Sequence, residues 1–164
     1  MKLTANITLD ELTKSQTAER KGINNNPSPE QIENLKALAV NILQPVRAHF
    51  DKALIISSGF RCAELCVEIG SSINSQHCAD DEAAAADFEI WGTDNEVLAT
   101  WIKSELEFDQ LILECWDGIE PNSGWVHVSY NESGSNRKQV LTYDGKKYDN
   151  GLPDMKWKDG KVEG

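Results

Sequence analysis

The 164-residue sequence has no long apolar run, no excess of positive charge, no paired C-x-x-C spacing and only three histidines. Each shortage closes off a class of function. A membrane-spanning helix needs about 20 consecutive apolar residues, and no run of that length occurs, so no membrane partner is expected. The opening residues Met1 to Asn6 lack the apolar stretch of a secretory signal. The chain is therefore expected to be made in the cytoplasm, and work on a cell wall would need another exit route, through a lysis system or within a virion. With 16 basic against 27 acidic residues the formal charge is −11. That is the wrong sign for a chain that neutralises nucleic-acid phosphates. The cysteines Cys62, Cys66, Cys78 and Cys115 do not fall at zinc-framework spacings. They read as reduced, mostly buried thiols, with Cys78 beside His77 the one minor candidate for a metal. No internal repeat occurs, and the only low-complexity stretch is Ala83 to Ala86, read as an extension of a short helix or as filler of a tight space.

What is present is ordinary for a globular protein: 40% apolar and 26% charged residues, enough for a single domain with a real core. Residues 1–149 are expected to form that domain, as a monomer, followed by a polar, flexible tail over 150–164 that carries Trp157. A short helical lead-in covers residues 7–20. Ser28, Pro29 and Gln31 open a helix with a capping box, and Ile32, Leu35, Leu38, Ala39, Ile42 and Val46 give it one buried face. Pro45 should kink or break it. Ala53 to Ser57 reads as a buried strand and Ala63 to Ile69 as a brief helix ending at Gly70. Asp87 to Trp91 alternates, so Asp87 and Glu89 share a face. Thr93 with Glu96 predicts a capping box for a helix that turns Val97, Leu98, Trp101 and Ile102 inward. Phe108 to Cys115 and Trp125 to Tyr130 read as strands, and Asp144-Gly145 as the turn of a final hairpin. Helices first, then strands broken by one helix, predict an α+β fold with helices packed on a mainly antiparallel sheet.

The chemistry concentrates in few residues. His77 stands near several carboxylates, including Asp87, and His127 lies inside a strongly β-prone run. Two histidines and a carboxylate from separate segments suit a catalytic zinc site, which keeps its fourth position for water. His49 sits near a helix end and reads as a surface or capping group. Glu114 closes an apolar strand, and a carboxylate there needs a partner or a task. Arg61 offers a guanidinium fork for a substrate carboxylate or carbonyl. Ser75 is placed to bond the backbone near His77, and Trp125 either packs beneath the site or walls a substrate cleft.

Taken in order, Ser58-Gly59-Phe60-Arg61, Ser75-Gln76-His77, Ala86-Asp87-Phe88-Glu89-Ile90, Leu113-Glu114 and Trp125-Val126-His127 resemble the zinc D-alanyl-D-alanine peptidase family. The nearest branch is the small phage and bacterial cell-wall peptidases of hedgehog-type fold. Ser15 to Arg20 and Leu43-Gln44-Pro45-Val46-Arg47 also look like that branch. The resemblance implies a Zn2+-dependent peptidoglycan hydrolase, an endolysin-like metallopeptidase with His77, Asp87 and His127 as metal ligands. It implies Glu114 as general base and Arg61 as the group that holds substrate or steadies the oxyanion. Ser75 and Trp125 would complete the substrate side, with peptidoglycan peptides as the partner. A D-alanyl-D-alanine carboxypeptidase and a metal-free wall-binding module of the same fold are the alternatives. One departure stands out. The family pattern is S-x-H-x-x-G-x-A-x-D, whereas Asp87 lies ten residues after His77 with no glycine between. Either three residues loop out and Asp87 still ligates, or Asp80 or Asp81 takes its place, or the site is impaired; the apolar strand Phe88 to Ile90 directly after Asp87 matches the family's context and favours Asp87.

Overall fold

The computed structural model describes residues 1–80 and 82–153. Six strands form one sheet in the order β1-β2-β4-β3-β5-β6: β1 is Ile55–Ser58, β2 Ala83–Glu89, β3 Gln110–Glu114, β4 Trp125–Asn131, β5 Gln139–Tyr143 and β6 Tyr148–Asn150. All neighbours are antiparallel except β3 and β5. The helices are α1 (Leu9–Thr13), α2 (Gln16–Lys21), α3 (Pro29–Leu38), α4 (Gln44–Phe50), α5 (Ala63–Glu68) and α6 (Asn95–Glu105). The fold is α+β, as the element order predicted. Among the described residues no helix is long and apolar enough to cross a membrane.

The capping box that opens α3 is present. Ser28 Oγ accepts from Gln31 N at 3.2 Å, and Gln31 Oε1 accepts from Ser28 N at 2.8 Å. Pro45 neither breaks nor ends the helix. A π-helical turn over Ala39–Leu43 joins α3 to α4, and a widened turn of this kind is a common way to absorb an irregular ladder. α3, the π turn and α6 cover one face of the sheet. There Leu35, Leu38, Ile42 and Leu98 meet Ala84, Ala86, Phe88, Val126, Val128, Leu111 and Leu113 in one sealed core.

Several expectations need correction. Ala83 to Ala86 does not extend a helix: it is the first half of β2, paired with Asn131 to Val128 of β4, with all four side chains buried. Alanine's helical preference is a weak prior, and a strand buried on both faces overrides it. β1 is not a buried strand: it is the sheet edge, and Ile55 is 46% exposed. α6 is capped by Asp94, whose Oδ1 accepts from Glu96 N, one residue later than the predicted Thr93. Its buried apolar residues are Leu98, Ala99 and Ile102, while Val97 is exposed and Trp101 only half-buried. Past the sheet's last strand, Gly151 N still donates to Val140 O. Trp157 and the rest of the expected tail from residue 154 lie outside the described residues.

Candidate metal centre

Strand register builds the site. β2 and β4 pair Asp87 directly with His127, and β3 and β4 pair Glu114 with Trp125. Residues two apart on a strand share a face, so Asp87, His127, Trp125 and Glu114 all stand on the side of the sheet away from the helical core. On the edge, the register of β1 slips between Ile56 and Ser58, which brings Ser58 opposite Asp87. Irregularities of this kind gather at sheet edges and beside active sites, where they re-aim side chains.

The third donor arrives from a loop. His77 lies in a single 3-10 turn, Gln76–Cys78, opened by Ser75, whose Oγ accepts from His77 N at 3.1 Å. Arg61 N donates to His77 O at 2.9 Å, pinning the turn to the segment after β1. From the other side, Gln76 Nε2 donates to Asp109 Oδ2 at 2.7 Å, and Arg137 grips the same carboxylate through Nε and Nη2. Burial alone would raise the Asp109 pKa, but these donors outweigh it and hold the carboxyl below its ordinary range.

His77, Asp87 and His127 converge within 4.8 Å, all three buried. Asp87 Oδ1 is 2.9 Å from His127 Nδ1 and 3.4 Å from His77 Nε2, and Arg61 Nη2 is 3.7 Å from Asp87 Oδ2. His77 Nδ1 is 2.7 Å from Gly59 O. A carbonyl can only accept, so Nδ1 donates to it and Nε2 is the ring atom turned toward Asp87. As a metal ligand, Nε2 would offer its lone pair to a cation placed between the ring and the carboxylate oxygen. Two imidazole nitrogens and one carboxylate oxygen are a donor set that zinc accepts, and the backbone carbonyl behind His77 is the usual orienting partner of such a ligand. The residues present fit the group. Burial opposes the negative charge of Asp87, yet the hydrogen bonds and charges of His127 and His77 prevail and lower its pKa.

Glu114 looks onto this cluster. Burial first, then the negative charge of Asp87, raises its pKa, with His127, Trp125 and Arg61 pulling the other way. Trp125 Nε1 donates to Glu114 Oε2 at 3.2 Å. Trp125 thus steadies Glu114, which distinguishes it from a plain cleft wall. Gly124, at φ +66°, makes the approach possible: a Cβ there would run into the Glu114 carbonyl. Arg61 Nε also donates to Ser58 Oγ. Beside Arg61 opens a cavity of about 540 Å³ that Lys14, Arg20 and Arg61 line without any acidic residue.

Of the sequence candidates, His77, Asp87, His127, Arg61, Ser75, Glu114 and Trp125 come together here. Asp80 does not: it is exposed and accepts from Gln31 Nε2, and Asp81 lies outside the described residues. β2 begins at Ala83, after Ala79 and Glu82 have taken positive φ, and Asp87 reaches the cluster despite its ten-residue separation from His77. Cys78 is no donor to the cluster, and its sulfur lies against Cys66. His49 stacks on Trp101, ring centroids 4.3 Å apart. Gly59, Gln76 and Asp109 were missed. Gly59 and Gln76 lie inside the segments that carry the family resemblance, but nothing in the sequence marks the Gly59 carbonyl as an acceptor or Gln76 as a donor to Asp109.

A search among curated proteins finds no significant match to the chain. The family model described as peptidase M15 matches residues 5–129, a span that contains every residue of the cluster, Glu114, and the Arg61 and Ser75 that frame it. The chain belongs to the peptidase M15 family, and its buried His77-Asp87-His127 group is the candidate metal centre of a metallopeptidase.

Proposed function

We propose that this protein is a zinc-dependent peptidase that cleaves peptidoglycan stem or cross-bridge peptides, in the manner of an endolysin. The observation that carries the reading is the buried His77-Asp87-His127 group with Glu114 facing it on the same side of the sheet. When bound there, zinc supplies Lewis acidity, polarising a carbonyl and lowering the pKa of water toward ~7. Glu114, steadied by the Trp125 Nε1–H on its Oε2, takes the water's proton and later delivers it to the leaving amine. A carboxylate whose pKa is raised is better matched to both halves of that task. Arg61 sits against Asp87 and supplies a fixed positive charge for the developing oxyanion. Ser75 keeps the His77 turn in place.

The cavity shares Arg61 with the site but has none of the cluster residues or Glu114 in its walls, and it supports a subsite for an acidic part of the peptide. In a chain of net charge −11, Lys14, Arg20 and Arg61 line one hollow without a carboxylate among its walls. The same feature supports a second reading, a D-alanyl-D-alanine carboxypeptidase, whose substrate ends in a free carboxylate. Digestion of purified peptidoglycan followed by mass spectrometry of the muropeptides tests both. New amino termini within stems or cross-bridges support the endopeptidase, released free D-alanine supports the carboxypeptidase, and an undigested wall with zinc-loaded protein rejects both. A chain that takes up no zinc leaves the metal-free wall-binding module standing. Access to the wall through a lysis system or a virion belongs to the same proposal.

A further inference from the structure

The sulfur atoms of Cys66 and Cys78 lie 3.1 Å apart, in the interior. Cys66 comes from α5 and is fully buried, and Cys78 closes the 3-10 turn that carries His77 and is 2% exposed. Cys62 and Cys115 are half-exposed. A dithiol metal site does not explain the pair, because among the described residues no third histidine, cysteine or carboxylate converges on it. What the geometry offers is a bond: the two sulfurs are within about 1 Å of the ~2.0 Å covalent separation.

We propose that Cys66 and Cys78 are a modification site, a reversible disulfide that fastens the His77 turn to α5. Hydrogen bonds already tie the same parts together. Cys66 Sγ is 3.8 Å from Arg61 O, and Arg61 N donates to His77 O at 2.9 Å. A disulfide replaces this with a covalent tie one residue from His77. The oxidant is a small-molecule disulfide. The Cys66 sulfur attacks it, forming a mixed disulfide and releasing one thiol. The Cys78 sulfur then attacks Cys66, forming the protein disulfide and releasing the second thiol. Two protein S–H bonds are lost, one S–S bond is broken and one made, and the two protons leave on the two small thiols. Access comes through the intervening segment. Val67 to Gly70 and Ser72 to Asn74 are exposed, and such short, weakly packed segments open locally without global unfolding. The bond itself does not depend on the proposed peptidase activity. Its effect on the His77 turn is read by proteolysis, so the two readings fail separately.

The test treats the full-length folded chain with oxidised glutathione, then unfolds and alkylates it for intact mass and peptide mapping. The expected result is a chain that takes up two alkyl groups instead of four and has lost a further ~2 Da as two hydrogens, with the Cys66 and Cys78 peptides joined. That product persists in the Cys62→Ser/Cys115→Ser double variant and disappears in both Cys66→Ser and Cys78→Ser. Limited proteolysis between residues 67 and 76 should slow severalfold on oxidation and recover with reductant. Four alkylatable thiols, a persisting glutathione adduct, or a linkage through Cys62 would overturn the proposal. A Cys66–Cys78 bond that leaves proteolysis of the segment unchanged would overturn the fastening role.

Discussion

On one face of β2, β4 and β3 stand Ala84, Ala86, Phe88, Val126, Val128, Leu111 and Leu113, packed under α3 and α6. On the other, often only one residue along the same strands, stand Asp87, His127, Trp125 and Glu114. The first face is held by removal of apolar surface from water, which needs size and shape but no particular atom. The second is held by named atoms: Gly59 O behind His77, Trp125 Nε1 on Glu114, Arg61 beside Asp87. Strand alternation lets one ladder serve both ends, since the core fixes the register and the register then aims the donors. Damage to the two faces should therefore show up in different measurements.

The largest separation should come from Glu114→Gln. Loss of a positioned general base should lower turnover on peptidoglycan by about 10²–10⁴-fold while zinc content and thermal stability hold. Turnover within a fewfold of wild type would remove Glu114 from the mechanism. The mirror experiment is Phe88→Ala on the core face. It should cost about 3–5 kcal/mol in denaturant unfolding, with zinc stoichiometry kept in whatever fraction stays folded. Loss of metal without loss of stability would mean that the two faces are not separable. Trp125→Phe is milder. It deletes one hydrogen bond to a carboxylate, worth about 1.5–3 kcal/mol when the acceptor is charged, and should move the acidic limb of the pH–rate profile upward because a donor that favours ionised Glu114 is gone.

The smallest effects concern stability against pH in the metal-free chain. Glu114 has a raised folded pKa, so its ionisation disfavours the fold. Glu114→Gln should be slightly more stable than wild type above that raised pKa, and the gain should vanish below the unfolded carboxylate range. Asp87 has a lowered pKa, so its contribution is present at neutral pH and fades as pH falls through the acidic range. Asp87→Asn should flatten that acid limb in urea titrations, and an unchanged limb would contradict the pairing with His77 and His127.

The core face was largely legible in the sequence because periodicity records burial. Leu35, Leu38, Ile42, Leu111 and Leu113 were placed by spacing alone. The failures have physical causes. Ala83 to Ala86 carries no alternation, since a strand buried on both faces needs none, and its identity as a strand comes from the partner β4. The edge position of β1 is a property of the assembled sheet and leaves no mark in five residues. On the site face, the family resemblance named the donors, and although the spacing from His77 admitted Asp80 or Asp81, the apolar strand after Asp87 favoured Asp87. The pairing of Asp87 with His127 across β2 and β4 brings that residue into the cluster. Gln76 with Asp109, and Cys66 with Cys78, are contacts between distant segments that no local pattern announces.

The central claim is that His77, Asp87 and His127 together hold one metal ion. Elemental analysis of the purified protein, wild type beside His127→Ala and Asp87→Ala, tests it directly. The account predicts about one zinc per chain in the wild type and its loss in both variants, each remaining folded by circular dichroism. Zinc that survives Asp87→Ala but not His127→Ala would move the third ligand elsewhere. A folded wild type that cannot be loaded with zinc would contradict the account.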